Sequence, residues 1–421
     1  MALALIVLTL WWHIPLPLWD HIDLVPIYQA WEDGRLNSSA FWDVHDGSHF
    51  HASAYAVLLL TTWASHGRTW LDCLVSAAFL LVCAFIILRM VVRAFGDELP
   101  RRWMVFFMFL ALYPGHLVNL QWGWQVAVFM SLLGAIGPVC VLTAERFSWK
   151  GNALGLMAAV VGVLGFSTAL AVFPVALVLV LLRRDLNWKA KGFWTLLWLA
   201  ALGGLVVFLR RGHVGEVIPA PAVEAFAMYV LNYIGSGVLH FSSKIAPTFA
   251  ILATVTGIWA MVHTRLRREV WPWISFMALG YGFAILTAWG RAALFGAEHG
   301  FVGRYISFSI LFWIGWFGLM LAAYRDGGKA GWVRLLLGVC VLVAVFNGLH
   351  MVNKARKTSV NADKLVVQIR ETYPNFDGAL LKQAYDWRAE SAGERLLIWH
   401  DHGFLPLEKE SRRGGHASEK E

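Results

Sequence analysis

Four aspartates, a run of histidines and a few scattered cations stand out in a chain that otherwise carries little charge. Asp20, Asp23, Asp43 and Asp46 fall within residues 18–68, a stretch holding six acids and two arginines. A carboxylate there can take a proton from an acceptor hydroxyl. The companion requirement is a cation, from side chains or a metal, to hold a leaving phosphate. Arg304, Arg291, Lys244, Arg211 and His299 are candidates farther along, and arginine's planar fork suits phosphate oxygens. The expected roles are Asp46 or Asp23 as base, Asp20 and Asp43 orienting acceptor or metal, and Arg304 and Arg291 on phosphate.

Each of these residues also has a plainer reading. Glu32 and Asp33 stand beside Gly34 and fit a solvated helix end. Asp20 and Asp23 fit the start of a solvated loop, and Asp43 and Asp46 fit caps of the helix that follows. Arg304 opens an apolar run beside Tyr305 and can snorkel to a membrane interface. His45, His49 and His51, with Asp43 or Asp46, could hold a divalent ion such as Zn²⁺. Their spacing suits a loop better than one helix face, and solvent-facing or substrate-binding roles fit equally. Gln121-Trp122-Gly123-Trp124-Gln125 offers two amides and two indoles, fit either to bind a sugar or to anchor at an interface. No P-loop, G-x-G-x-x-G, H-E-x-x-H or G-x-S-x-G motif stands in a usable context.

The elements that must position these groups follow from composition. Of 421 residues 58% are hydrophobic and 15% charged, where soluble domains carry about 25% charged residues. That excludes a soluble enzyme, a disordered chain and an ordinary nucleic-acid binder. The net charge of +8 fits Lys and Arg collected in cytoplasmic loops. Cys73, Cys83, Cys140 and Cys340 lie in apolar runs and read as packing residues.

The reading is all-α: a polytopic helical membrane protein with about eleven transmembrane helices. They are residues 1–12 (extended toward 18), 70–92, 103–120, 122–142, 152–166, 169–182, 193–209, 246–262, 273–289, 307–323 and 333–349. Residues 1–12 lack the basic start and A-x-A site of a signal peptide. Within the first outer loop, 18–69, residues 26–36 and 51–65 predict short interfacial helices. Sixteen Lys and Arg fall in one set of loops and seven in the other, which places the richer set in the cytoplasm. The N-terminus is then inside and the polar extension 351–421 outside, with a disordered end. Most histidines fall on the outer side, and His263 alone on the inner.

In that order, the motifs resemble the GT-C class of membrane glycosyltransferases, and a group of bacterial inner-membrane proteins most closely. That group has an acidic pair, an N-E-H-R-like cluster heading a helix, a W-G-F-Q-like segment and an S-R-Y-like segment. Here those places hold Asp20 and Asp23, His45-Asp46-Gly47-Ser48-His49, Trp122-Gly123-Trp124-Gln125 and Gly303-Arg304-Tyr305. No arginine follows the histidine, and Gly47 stands at the Glu position; if that Glu is catalytic in the group, Asp46 or Asp43 must substitute for it here, or activity is lost. The resemblance implies a GT-C-like fold and inverting transfer of a sugar from a polyprenyl-phosphate donor to a glycan, lipid or protein. It places this in the bacterial inner membrane, at the non-cytoplasmic face, with no cofactor beyond a possible divalent metal. The alternatives are a secondary transporter of a polar solute or lipid-linked saccharide, and a non-catalytic subunit of an envelope-polysaccharide assembly.

Overall fold

A computed structural model describes residues 1–35, 41–42, 49–96, 99–211, 219–326 and 331–404, with Arg211 described by its backbone alone. Among these residues the chain is all helical, without a strand. The helices are α1 (Ala2–Trp11), α2 (Leu24–Glu32), α3 (Ala52–Ser65), α4 (Trp70–Phe95), α5 (Arg101–Ala111), α6 (Val126–Leu142), α7 (Trp149–Gly165) and α8 (Val172–Leu182). They continue as α9 (Trp188–Arg211), α10 (Val223–Ser236), α11 (Ala246–His263), α12 (Trp271–Phe295), α13 (Ile306–Asp326), α14 (Gly331–Glu371), α15 (Gly378–Tyr385) and α16 (Ala389–Asp401).

Eight helical segments are long and apolar enough to cross a membrane, and each coincides with an expected span. The other three expected spans are shorter helices. Ala2–Trp11 has 10 residues and Trp149–Gly165 has 17, or about 15 and 26 Å at 1.5 Å per residue. Ser167–Leu182 is an apolar helix of the same short class. All fall below the roughly 30 Å of a hydrocarbon core. The two short helices expected in the first loop, over 26–36 and 51–65, are present as α2 and α3.

The loops gather at two ends of the helical body. At one end Arg183 donates to the Leu142 carbonyl (3.0 Å), Arg268 to that of Ala144 and Arg325 to that of Phe95 (3.3 Å). At the other, the Ile14 N–H donates to the Gln121 carbonyl (2.8 Å) and Asn119 Nδ2 to that of Arg304 (2.9 Å). Arginines of the basic loops thus meet one another's backbone at one end, and the entry to the first loop meets the 119–121 and 304 turns at the other.

Helix α14 has 41 residues, about 60 Å, roughly twice a hydrocarbon core. It runs unbroken through residue 350, where the composition turns polar, and carries α15 and α16 back onto the first loop. There Leu365, Ile369, Tyr385, Leu396 and Trp399 pack with Ile22, Leu24 and Tyr28 in a second buried cluster, apart from the main core between the spans.

Small residues let the long helices approach closely, which in lipid replaces the hydrophobic drive between them. On α6, a Cβ at Gly134 would stand 2.7 Å from the Ala158 carbonyl oxygen and 2.8 Å from Gly162 Cα of α7. Ser131 Oγ donates to the Gly162 carbonyl across the same seam (2.8 Å). Gly134→Val should cost about 1–3 kcal/mol, read as a lower unfolding temperature in detergent. Gly338→Val, with open space around it, should leave that temperature unchanged.

Candidate functional site

The site forms where two apolar helices lose their regularity. Pro114 ends the run begun by α5, and a turn at Gly123 precedes α6. Irregular backbone at this depth must find partners inside the protein. His116 Nδ1 meets Ser307 Oγ (2.9 Å), and Asn119 Nδ2 reaches the same oxygen (2.8 Å). Trp122 Nε1 donates to the Leu18 carbonyl (3.2 Å). These bonds tie the 114–125 segment to the head of α13 and to the first loop at once.

The first loop enters under constraint. Trp19 takes a left-handed backbone conformation (φ 54°), which a bulky side chain holds only when its surroundings dictate it. Its ring meets Trp122 edge-on at 5.1 Å. The next turn, Trp19–Asp23, sets Asp20 into a crevice between the first loop and the heads of α6 and α13. Asp20, His49, His51, Gln125, Arg291 and Arg304 line it, with Trp124, Phe166, Tyr305 and Phe308 as aromatic walls. Its open volume is about 40 Å³, room for a few waters.

The histidines are fixed from α7. His51 Nδ1 bonds the Gly165 carbonyl (2.8 Å), and His49 Nδ1 meets Ser167 Oγ (2.6 Å) while its ring stacks on Phe166 at 4.4 Å. Trp124 lies against His51 at 5.2 Å and Tyr55 at 5.8 Å. Among the described residues no three His, Cys, Asp or Glu side chains stand close enough to hold a metal ion. His45, Asp43 and Asp46 lie outside the described residues.

The expected cations separate into groups. Arg291 and Arg304 line the crevice, and His299 is close enough to feel both charges. Burial, then those two guanidiniums, push its imidazole down to about 4, so His299 is neutral at pH 7 and offers hydrogen bonds, not charge. Lys244 is exposed and outside the crevice, and the side chain of Arg211 lies outside the described residues. Gln121 is also outside the crevice, buried with neither amide atom hydrogen-bonded among the described residues.

Three features escaped the sequence reading. Arg388, its side chain 3% exposed, meets Asp20 Oδ1 through Nη1 (2.9 Å) and Asp23 Oδ2 through Nε (2.6 Å). Arg395 takes the other oxygen of Asp23. Asp23 is thus held between two arginines, while Asp20 reaches the crevice. Second, Asp72, 2% exposed at the head of α4, accepts from Thr61 and faces His21 Nε2 at 3.7 Å. Burial holds His21 down to about 3. A Cβ on Gly123 would stand 2.7 Å from Asp72 Cβ and 2.9 Å from His21 Cε1, which explains a glycine between the two tryptophans. Third, Lys354 Nζ sits 2.6 Å from His240 Nε2 and against Gly303. The signals were an arginine in a polar tail, one acid in an apolar run, and a lysine past the final expected span.

No family model, curated protein or solved structure matches the chain.

Two outcomes follow from this geometry. Arg388→Gln takes the guanidinium away from both Asp20 and Asp23, of which Asp23 keeps Arg395, a loss of about 1.5–3 kcal/mol for a charged hydrogen bond. Faster amide exchange across α15 and α16 should report it, with the exchange of α12 and α13 unaltered. His299 should titrate near pH 4 in the empty protein, and higher once a bound phosphate offsets Arg291 and Arg304. An imidazole NMR titration with and without pyrophosphate checks this; an unmoved curve at saturation contradicts it.

Proposed function

We propose that this chain is a polyprenyl-phosphate-sugar-dependent glycosyltransferase of GT-C type, working at the non-cytoplasmic face of a bacterial inner membrane. In this reading the three short apolar helices complete an eleven-segment body, the N-terminus is cytoplasmic and the C-terminus periplasmic. The observation that supports it is the crevice itself, with Asp20 on one wall and Arg291 and Arg304 on others. A base and two permanent cations around one space are what transfer from a phosphate leaving group needs.

The reaction would run as a single displacement. Asp20, oriented by Arg388, takes the proton from the acceptor hydroxyl as its oxygen bonds the anomeric carbon. The bond from that carbon to the phosphate oxygen breaks, and the charge left on the polyprenyl phosphate passes to Arg291 and Arg304. Gln125 and Trp124 are placed to hydrogen-bond and stack against the sugar. At about 40 Å³ the crevice admits waters and no hexose, so its walls must part when donor binds. Asp23, occupied by Arg388 and Arg395, supports Asp20 from behind.

Membranes carrying Asp20→Asn should transfer labelled sugar at least about 100-fold more slowly, the usual scale for loss of a positioned base. Arg304→Gln should lower the rate by a similar factor, and Lys244→Gln should leave it unchanged. Normal transfer by both Asp20→Asn and Arg304→Gln would end this reading.

One observation favours a second reading. A carboxylate buried at the head of a spanning helix, facing a histidine, is a common element of proton-coupled transporters. If Asp72→Asn abolishes solute flux in proteoliposomes and no sugar transfer is detectable, the transporter reading takes its place.

A further inference from the structure

A second, larger cavity, of about 570 Å³, lies apart from the crevice and shares no lining residue with it. Its walls come from the exit of α1, the turn between α3 and α4, the end of α14 and the end of α16. The ionisable side chains facing it are His13, His66, Arg68, Arg370 and His400, and no described carboxylate lines it. Glu371 and Asp401, neighbours in sequence of Arg370 and His400, are not part of the wall, and Glu32 is engaged with His402 (2.9 Å). Arg370 Nε is shut off from water with no hydrogen-bond partner among the described residues. A donor on a guanidinium left this way costs free energy that an anionic acceptor would recover.

The position of the cavity identifies where such an acceptor comes from. Trp70 lines it, and Trp11 and Trp63, on the helices that lead into it, are 78% and 62% exposed. Exposed indoles of this kind sit at the level of lipid headgroups. Phe404 closes one wall over Gly67, whose positive φ (73°) and lack of a Cβ make room for the ring. Arg370, His400 and that wall belong to the C-terminal part of the chain, so the cavity exists only while it is docked.

We infer that this cavity is a binding site for the phosphate of an anionic lipid. Its volume suits a phosphorylated headgroup of glycerol or sugar size. Arg68 and Arg370 take the phosphate oxygens, and the imidazoles of His13, His66 and His400 add hydrogen bonds. A lipid held there joins the membrane body to the C-terminal extension, beside but not within the crevice that Asp20 and Arg304 line. Two lipids carry this chemistry: an acidic phospholipid of the surrounding bilayer and a polyprenyl phosphate.

The test is lipid retention by the full-length protein in detergent, read by native mass spectrometry. Phosphatidylglycerol and a polyprenyl phosphate are compared with phosphatidylcholine, for wild type, for Arg68→Gln with Arg370→Gln, and for Arg304→Gln. The expected result is retention of an anionic lipid over phosphatidylcholine, weakened about tenfold in the double variant; Arg304→Gln lowers polyprenyl phosphate alone, through the crevice, and leaves phosphatidylglycerol at the wild-type level. Whichever anionic lipid the double variant weakens is the occupant; loss in Arg304→Gln alone reports on the crevice and not on this cavity. Equal retention by wild type and the double variant overturns the inference, as does equal retention of phosphatidylcholine. Should the double variant not fold, wild type is irradiated with a lipid photolabelled at its phosphate. Adducts at residues 66–70 or 370 support the site, and adducts confined elsewhere overturn it.

Discussion

The guanidinium of Arg388, taken almost wholly out of water, sits between Asp20 and Asp23, more than three hundred residues away in sequence. Removing a charge from water costs several kcal/mol, and only good geometry with full hydrogen bonding offsets it. Here two carboxylates supply that, with Trp387 stacked 3.8 Å from the guanidinium carbon. The pairing fixes the first loop and the C-terminal helices in one arrangement. Everything the crevice can do depends on it, because Asp20 is turned toward the crevice by the same contact that docks α16.

A second constraint works from below. Where the helical pattern breaks, residues 114–125 are tied to the rest of the protein by a backbone bond, from the Ile14 N–H to the Gln121 carbonyl, and by side chains. Among these are Trp122 on the Leu18 carbonyl, His116 with Ser307, and Asn119 on the carbonyl of Arg304. The bonds that hold the broken helices bring Gln125 and Arg304 to one space. The polar crevice and the irregular backbone are two consequences of one set of contacts.

Much of this was legible in residue types and the loops they fall in. The acids of the first loop, the Trp-Gly-Trp-Gln segment and the two arginines at 291 and 304 were singled out without coordinates, and Asp20, Gln125, Arg291 and Arg304 meet in the crevice. Helix periodicity and length located eight spans because 18 or more apolar residues leave little alternative. The shorter apolar runs at 2–11, 149–165 and 167–182 carry the same composition, and composition alone does not register a missing turn. Arg388 was not legible, since a lone arginine in a polar tail looks like any solvated cation until a partner far off in sequence is known. Asp72 was hidden for the opposite reason: a single acid barely lowers the mean hydropathy of a 26-residue helix. His299 is a candidate for the phosphate site from its loop alone, and the sequence gives no sign of the burial and the two guanidiniums that push its imidazole down.

In the proposed reaction one space holds both the acceptor's base and the donor's phosphate. A cryo-electron-microscopy structure of the full chain with a non-hydrolysable polyprenyl-phosphate sugar is the decisive experiment. The phosphate should lie between Arg291 and Arg304, with the anomeric carbon turned toward Asp20 and the crevice wider than its present 40 Å³. A sugar-phosphate bound with neither arginine in contact, or with Asp20 on the far side of the protein from the anomeric carbon, would contradict it.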